Sequence, residues 1–224
     1  MSEQTRRTYD STLRRARAER TRARIVEAAG RLFVERGYAA TTIPAIAAEA
    51  AVAVETVYRS VGGKAGLLAE AVRAAVAGGP QRAAVPVPER PAIRRIIEEP
   101  DPERQLRLYA ATQPGIWSRV GPLMRVLEAA SAGDPSLVEL REQISGERRT
   151  GLREGLGRLL EERGALRPGL TAERAGDVVY AVCGQPNYQA LVVECGWTED
   201  DYRDWLAETL TAALLRGRRT PRGE

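Results

Sequence analysis

Residues 54–64 hold hydroxyl, acidic and cationic side chains at a spacing that suits contacts with a nucleic acid. In a helix over residues 54–60, Val57 and Val61 lie four residues apart and would face a core. The side chains then left to project outward or sideways are Glu55, Thr56, Tyr58 and Arg59. After a pair of glycines, Lys64 opens a further helix, where free N–H groups and a positive charge together favour a phosphate. The available chemistry is hydrogen bonding to phosphates and base edges.

Two predicted helices come before this segment and would position it. The first runs from a cap at Thr21 to the residue before Gly37, which can adopt the left-handed conformation that ends helices. Its apolar positions recur at helical spacing and form one stripe, made of Ile25, Ala28, Ala29, Leu32 and Phe33. The second begins behind Thr41 or Thr42 and ends near Ala50. Two short helices separated by a tight turn are typical of a helix-turn-helix unit that reads DNA.

Residues 21–72 resemble the DNA-binding head of the TetR family of bacterial transcriptional repressors. The matching features are, in order, the apolar helix ending in ERGYAATTI, then PAIAAEA, a short turn, ETVYRSVGGK and the apolar LLAEAV. The resemblance implies that Thr42, Tyr58 and Lys64 touch phosphates. It also implies that Arg59 reaches a base or a phosphate, and that the base-edge contacts come from Val54, Glu55 and Thr56.

Several residues depart from the family pattern. The turn usually has a glycine where this chain has Ala51, and Ala53 replaces the serine or threonine that usually caps the recognition helix. Without that cap we expect the helix to begin more weakly, by about 1 kcal/mol. Ser60 stands where an aromatic residue or histidine is usual. For Glu55 two interpretations remain open, because an acid can accept from cytosine N4 or can simply be a solvated helix residue.

Positive charge is concentrated near the N-terminus. Residues 1–75 carry 13 cationic and 8 acidic side chains, and eight arginines lie within the first 24 residues. This imbalance predicts a basic flexible arm over residues 1–20 that helps to bind a polyanion, the alternative being a solvated tail with no partner. The rest of the chain is close to neutral.

The chain of 224 residues has no histidine and two cysteines, Cys183 and Cys195. Without histidine it lacks the usual general base and the commonest metal ligand, so we expect neither an enzyme nor a metal or other cofactor. Two cysteines make neither a disulfide framework nor a metal set. Because no apolar run is long enough for a membrane span or a secretory signal, we expect a cytoplasmic protein.

The remaining sequence predicts an all-α protein, in which a helix-turn-helix head is joined to a larger C-terminal helical domain. The predicted domains are a flexible arm (1–20), a DNA-binding domain (21–77), an effector-binding and dimerisation domain (78–216) and a disordered tail (217–224). The Gly- and Pro-rich residues 78–90 predict a loop. Long helices are expected from about 135 to 163, and from a cap at Thr171 to about 194 with a break at Gln185–Pro186.

The family resemblance implies that the last two helices pair with those of a second copy. The candidate interface residues are Val178, Val179, Tyr188, Leu191, Trp205, Leu206, Leu210 and Leu214. The alternative for each of them is the core of a single chain. We expect a homodimer, because one head reads too few bases for useful specificity.

A small-molecule effector is expected to bind among the body helices, where large apolar residues combine with a few polar ones. The candidate contacts are Tyr109, Gln113, Trp117, Met124, Leu127, Tyr180, Cys183, Gln185 and Asn187. Each of them could instead be ordinary core.

The sequence therefore favours a dimeric, DNA-binding transcriptional regulator that an effector releases from a pseudo-palindromic operator. Two other classes remain in view. An enzyme has no supporting motif here, and a helical interaction module that has lost its operator is supported only by the alanines at 51 and 53.

Overall fold

The computed structural model describes residues 3–216, and it describes the side chains from residue 14 onward. The predicted disordered tail, residues 217–224, lies outside the described residues. The helices are α1 (Glu3–Ala40), α2 (Ile43–Glu49), α3 (Val54–Val61), α4 (Lys64–Ala77), α5 (Pro80–Ala83), α6 (Pro91–Glu98), α7 (Pro102–Ala110), α8 (Gln113–Ser131), α9 (Pro135–Leu152), α10 (Arg158–Glu162), α11 (Ala172–Val182), α12 (Gln185–Tyr188) and α13 (Glu199–Leu214). A 3₁₀ turn covers Val87–Glu89, and π-helical turns cover Arg153–Gly157 and Gln189–Glu194.

The prediction of an all-α fold is confirmed. Between residues 3 and 216 there is no β-strand, and a single antiparallel bridge joins Leu166 to Leu215. Among the described helices, none combines the length and the apolar character that crossing a membrane requires. The described chain divides into two compact units, of which the first comprises residues 3–84 together with Arg119–Arg141. The second comprises Val85–Ser118 and residues 142–216.

Helix α1 begins earlier than the sequence predicts. The expected start was a cap at Thr21, but the backbone is helical from Glu3, so the predicted start is wrong. The flexible arm over residues 1–20 stays a prediction. The physical reason is composition, because residues 3–29 contain no glycine or proline and many arginine, alanine and glutamate residues, which favour helix. Six of the seven side chains from 14 to 20 are exposed. This part of α1 therefore extends from the core without packing into it.

The core of the first unit is centred on the predicted apolar stripe of α1. Phe33 and Ile25 are completely buried, and α1 packs against α2, α3 and α4. Gly37 has φ 78°, so the helical conformation stops where the sequence predicts. Tyr38 then folds back and stacks on Phe33, with ring centroids 5.6 Å apart. Loss of the Phe33 ring would cost about 3–5 kcal/mol, because the ring is completely buried.

The segment between α4 and α6 differs from the predicted loop. Pro80 starts the four-residue helix α5, and a 3₁₀ turn follows at Val87–Glu89. Proline suits the first turn of a helix because its φ is already helical and its missing N–H would be unpaired there. Gly78, at φ 83°, ends α4 just before this segment.

In the second unit, α13 packs along α7 and against α11. The predicted cap at Thr171 is confirmed, because its side chain accepts from the backbone N–H of Arg174. Asp101 caps α7 in the same way, by accepting from the backbone N–H of Arg104. Thr198 also forms a reciprocal capping box with Asp201 at the start of α13. These caps fix where α7, α11 and α13 begin.

The predicted long helix from 135 to 163 contains a π-helical turn at Arg153–Gly157, which packs closely against α11. A Cβ on Gly157 would lie 2.2 Å from the carbonyl oxygen of Ala172, and one on Gly176 would lie 2.6 Å from the Arg153 Cα. Both positions therefore need glycine, because the two backbones touch there.

Candidate nucleic-acid interface and ligand site

The two threonines before α2 have different roles. The Thr41 side chain is fully buried, and its hydroxyl reaches the carbonyl oxygens of Leu32 (3.0 Å) and Gly37 (2.8 Å). Thr42 is exposed, and its Oγ1 accepts from the backbone N–H of Ala45 at 3.2 Å, which caps α2. Since the Thr42 oxygen accepts this bond, its own hydroxyl hydrogen is still available to a phosphate.

The turn between α2 and α3 is held in a left-handed conformation by a residue other than glycine. Ala51 has φ 51°, and it is the one positive-φ residue besides glycines in the described chain, residues 3–216. The N–H of Val52 donates to the carbonyl of Ala47 at 3.0 Å, which closes the end of α2. For a residue with a Cβ this conformation costs about 1–2 kcal/mol. The helix–turn–helix geometry is therefore formed despite local strain.

Helix α3 has one inward and one outward side. Val57 is completely buried, whereas 55% of the Tyr58 side chain is exposed. Glu55 and Arg59 are exposed, and Thr56 is half-buried, as is Val54. As the sequence predicts, no side chain caps the first turn at Ala53. The outward side of α3 thus offers a phenol, a guanidinium and a carboxylate to a partner.

Arg22 holds the end of α3 in place. Its guanidinium donates to the carbonyl oxygen of Ser60, and it pairs with Glu70 of α4 at 3.0 Å. The sequence analysis counts Arg22 only as one of the eight arginines of the first 24 residues, so its structural role was missed. The separation of 38 residues between Arg22 and Ser60 leaves no local signal for this contact.

Lys64 is tied to the end of α1. Its ammonium donates to the carbonyl oxygen of Ala39 at 3.2 Å and lies 4.3 Å from the centre of the Tyr38 ring. Partial burial lowers the Lys64 pKa from its usual value. An ammonium has three donors, and one of them is used here, so the group can still meet a phosphate.

In the second unit, four predicted effector contacts surround Arg148, which was not among the predicted contacts. Its guanidinium donates to the carbonyl oxygens of Tyr180 (3.1 Å) and Cys183 (2.8 Å). The guanidinium carbon lies 5.5 Å from the Trp117 ring centre and 4.8 Å from that of Tyr180. The indole N–H of Trp117 also donates to the Cys183 carbonyl, at 3.0 Å. Arg148 also hydrogen-bonds to the hydroxyl of Tyr109.

The groups around Arg148 are held in their neutral forms by burial. Burial raises the pKa of the Tyr109 hydroxyl far above its usual value. Burial likewise raises the pKa of the Cys183 thiol to about 12, although the charge of Arg148 opposes this shift. Near neutral pH, Arg148 is therefore the charged member of this group.

Other predicted effector contacts lie elsewhere or already have partners. Asn187 donates to the carbonyls of the last two residues of α11, at 3.0 and 2.8 Å. Gln113 is buried, and its amide donates to the hydroxyl of the preceding residue at 2.9 Å. Gln185 is half-buried. Met124 and Leu127 belong to the first unit, where Leu127 is completely buried.

The predicted interface residues fall into two groups. Four are completely buried within the single chain, so they form its core and have no surface left for a partner: Val179, Leu206, Leu210 and Leu214. The other four are half-buried: Val178, Tyr188, Leu191 and Trp205. The physical reason is that one side of α13 already packs on α7, which the apolar spacing alone cannot distinguish from packing on a second copy.

Comparison with known protein families supports the resemblance found in the sequence of the N-terminal head. Residues 25–71 match the model of the bacterial regulatory proteins of the tetR family. This match covers α2, α3 and the parts of α1 and α4 that pack around them. Among curated protein sequences, none matches this one.

Solved structures share the fold over most of the chain. The repressor NalD of Pseudomonas aeruginosa, the secondary repressor of the MexAB-OprM multidrug efflux pump, is 23% identical with a TM-score of 0.63, covering 89% of this chain and 98% of its own. A transcriptional regulator from Saccharomonospora viridis in complex with choline is 21% identical with a TM-score of 0.62, covering 88% and 98%. The fatty acid degradation regulator FadR from Bacillus halodurans is 17% identical with a TM-score of 0.62, covering 88% and 96%.

Proposed function

We propose that this protein is a dimeric, DNA-binding transcriptional repressor, because residues 25–71 match the model of the bacterial regulatory proteins of the tetR family. A small-molecule effector releases it from a pseudo-palindromic operator. The general part of this proposal, a DNA-binding regulator, follows from the family of the head. The dimer, the effector and the individual contacts are supported by the arguments below.

The observation that carries the proposal is the outward side of α3. Tyr58 and Arg59 are exposed there, while Val57 anchors the helix in the core. At the two flanks, Thr42 caps α2 with its hydroxyl hydrogen free, and Lys64 opens α4. A short helix with phosphate-binding groups on both sides suits insertion into the major groove.

A dimer is favoured by the size of this reading surface. One helix of eight residues can contact only a few base pairs, which leaves too many competing sites in a genome. Two heads related by a two-fold axis would read two half-sites in successive major grooves. The half-buried residues Val178, Tyr188, Leu191 and Trp205 are our candidates for the contact between copies.

The proposal of a small-molecule effector is supported by a similar structure and by the residues of the second unit. The structure of the S. viridis relative contains choline, and the second unit here contains a polar cluster around Arg148. A ligand can release DNA only if it binds more tightly to the conformation that fits the operator poorly. The effector site and the head are thereby coupled through the equilibrium between two conformations.

Two other functions are weaker. An enzyme is disfavoured because the family of the head and the three similar structures are all regulators. A helical module without an operator would explain the alanines at 51 and 53, but the turn and α3 still adopt the helix-turn-helix arrangement. DNA binding separates this alternative from a regulator.

The test is selection of duplex DNA from the region upstream of the gene, followed by footprinting of the selected fragment. We expect two protected half-sites related by a dyad, with centres about 34 Å apart or a multiple of that. Protection of a single asymmetric half-site would contradict the dimer. Failure to select any sequence would contradict the regulator and favour the interaction module.

Point variants then test the contacts on α3. Thr56→Ala and Arg59→Ala should change the preferred base at one position in each half-site, at a cost of about 1–3 kcal/mol. Arg158→Ala is the matched control, because Arg158 is an exposed arginine of the second unit. It should leave both affinity and base preference unchanged.

A further inference from the structure

We infer that the second unit binds an effector carrying a carboxylate on an apolar body, with the carboxylate held by Arg148 and by the hydroxyl of Tyr202. This inference rests on the proposed function and specifies the chemical class of the effector. Four observations support it: the charge of Arg148, the hydrogen-bond inventory around it, the enclosed hydroxyl of Tyr202 and the aromatic surroundings.

Arg148 is a half-buried cation with no acidic partner. Among the described side chains, residues 14–216, none of its contacts is with a carboxylate, and its partners are the carbonyls of Tyr180 and Cys183 and the Tyr109 hydroxyl. Carbonyl dipoles and aromatic faces stabilise a guanidinium only in part. A guanidinium has five N–H donors in a planar fork, so some remain for a further acceptor. An anion is the group that would complete this site.

The groups around Arg148 leave several hydrogen-bond donors available to a ligand. The Cys183 carbonyl already accepts from Arg148 and from the Trp117 indole. The Tyr109 hydroxyl interacts with Arg148, and burial keeps it protonated, so it still has a hydrogen to give. A ligand that satisfies such a group must bring acceptor oxygens. A carboxylate brings two, with the planar geometry that an arginine fork matches.

Tyr202 supplies a further donor that is enclosed and unpaired. Its side chain is completely buried, and within the described residues its hydroxyl has no hydrogen-bond partner. Burial raises the pKa of this hydroxyl and Cys183 adds to the rise, whereas the charge of Arg148 opposes it, so the hydroxyl stays protonated within electrostatic reach of Arg148. A buried hydroxyl without a partner is unfavourable, so the free protein retains an unsatisfied group that a bound anion would satisfy.

The aromatic residues near Arg148 indicate the chemistry of the part of the ligand beyond its carboxylate. Trp117 and Tyr180 flank the guanidinium, and Tyr202 makes an edge contact with Tyr188 at 5.3 Å between ring centroids. These rings favour an apolar or aromatic body over a compact, strongly hydrated dianion such as phosphate. The predicted class is therefore a monocarboxylate with an apolar body.

The same contacts connect the ligand to the protein's conformation. Arg148 now binds the carbonyls of Tyr180 and Cys183, at the C-terminal end of α11, where a cation is favoured by the helix dipole. A carboxylate that recruits the guanidinium would weaken its hold on these carbonyls. Binding would thus change how α11 ends and how the break at Gly184 is held.

The experiment measures binding to the full chain by calorimetry, with benzoate, naphthalene-2-carboxylate and decanoate as probes. Each acid is paired with its primary amide, which has the same shape without the charge. We expect at least one carboxylate to bind about tenfold or more tightly than its amide. Equal affinity for acid and amide, or no carboxylate binding at millimolar concentration, would overturn the inference.

Three variants locate the site. Arg148→Gln should weaken carboxylate binding by about tenfold or more without affecting the amide, whereas Arg149→Gln, an exposed neighbour, should change neither. If Arg148→Gln does not fold, the Tyr202→Phe variant tests the proposed carboxylate site instead. It should weaken carboxylate binding while leaving the melting temperature of the free protein equal or higher, because it removes an unpaired buried hydroxyl. Full carboxylate binding by a folded Tyr202→Phe variant would contradict the proposed site.

DNA binding is measured in parallel on the fragment selected above. A protein that binds this fragment but no carboxylate would refute the ligand class and leave the regulator intact. A protein that binds the carboxylate but selects no DNA would refute the proposed function and retain the site. We expect the carboxylate to release DNA from the wild-type protein and to have no effect on DNA bound by Arg148→Gln.

Discussion

The ammonium nitrogen of Lys64 lies 4.3 Å from the centre of the Tyr38 ring, and it also donates to the carbonyl of Ala39. Tyr38 in turn stacks on the buried ring of Phe33. The cation at the start of α4 is thereby fixed relative to the core of the head. A fixed cation loses less side-chain entropy on meeting a phosphate than a freely rotating lysine would.

We expect Lys64→Ala to weaken binding to all DNA sequences alike. One phosphate contact fewer should lower the slope of log affinity against log salt by about one unit. The measurement is a salt titration on the selected operator and on an unrelated duplex. An unchanged slope would show that Lys64 is merely solvated. Tyr38→Leu, which keeps the lysine but removes the ring beneath it, should weaken binding with the slope retained.

The turn of the helix-turn-helix offers a test of stored strain. Ala51 has φ 51°, so Ala51→Gly should stabilise the protein by about 0.5–1 kcal/mol, after the greater entropy of glycine in the unfolded chain is offset. The matched control is Ala53→Gly, since Ala53 has φ −72° and gains nothing from glycine. Urea denaturation of both variants checks this. Equal destabilisation by the two would contradict strain at Ala51.

The head could be predicted well because its signals are local. The buried positions of α1 and α2 follow a helical period, and Gly37 and Thr42 mark an end and a start within a few residues. Family resemblance added the predicted phosphate contacts, which stay a prediction. In contrast, the long N-terminal part of α1 was missed because a strong charge pattern was given more weight than helix propensity.

The second unit was harder to predict because its key contacts join distant residues. Arg148 reaches the Cys183 carbonyl 35 residues away, and Trp117 reaches it from 66 residues away. The apolar face of α13 was predicted correctly, but the surface against which it packs was not. Leu206 and Leu210 are buried against their own chain, and a single sequence gives the same spacing for either partner.

The N-terminal part of α1 should contribute to DNA binding and little to stability. The side chains of residues 14–20 are almost all exposed, so removing residues 1–18 should leave the melting temperature nearly unchanged. It should weaken DNA binding and reduce its salt dependence, because several arginines are lost. A triple variant with Arg14, Arg15 and Arg17 changed to glutamine keeps the helix and should reproduce most of the loss. A large drop in melting temperature would show that this segment is packed.

The free energy of unfolding should decrease at alkaline pH and change little near neutral pH. Burial raises the pKa of Cys183 to about 12 and raises those of Tyr109 and Tyr202, so the folded protein holds these protons after the unfolded chain has released them. Stability is thus fully present below the ordinary pKa values of 9.0 and 10.0, and it is lost as the pH rises above them. Each group contributes a slope of up to about 1.4 kcal/mol per pH unit.

Denaturant unfolding between pH 6 and 11 measures this effect. Since the chain has no histidine, we expect almost no change from pH 6 to 8, followed by a steady decrease above about pH 9. Cys183→Ala and Tyr202→Phe should each make the decrease less steep. A constant free energy of unfolding up to pH 11 would show that burial in the folded protein does not hold the protons of these groups.

The dimer is tested by comparing two neighbouring residues of α13. Trp205 is half-buried, makes contact with Trp197 and Tyr202, and lines a surface groove with the carboxylates of Asp201 and Glu208. Trp205→Arg would place a cation on this surface, where the carboxylates can neutralise it in a monomer. Burying that charge between two copies would cost several kcal/mol unless it is paired.

We therefore expect Trp205→Arg to be a folded monomer by analytical ultracentrifugation and circular dichroism, with operator binding lost. Leu206→Arg is the contrasting variant, because Leu206 is completely buried within the chain. A charge there should unfold the second unit instead of dissociating a dimer, since an isolated buried charge has no means of compensation. If Trp205→Arg remains a dimer that binds the operator, the two copies meet through another surface, and Trp205 belongs to the periphery of the single chain.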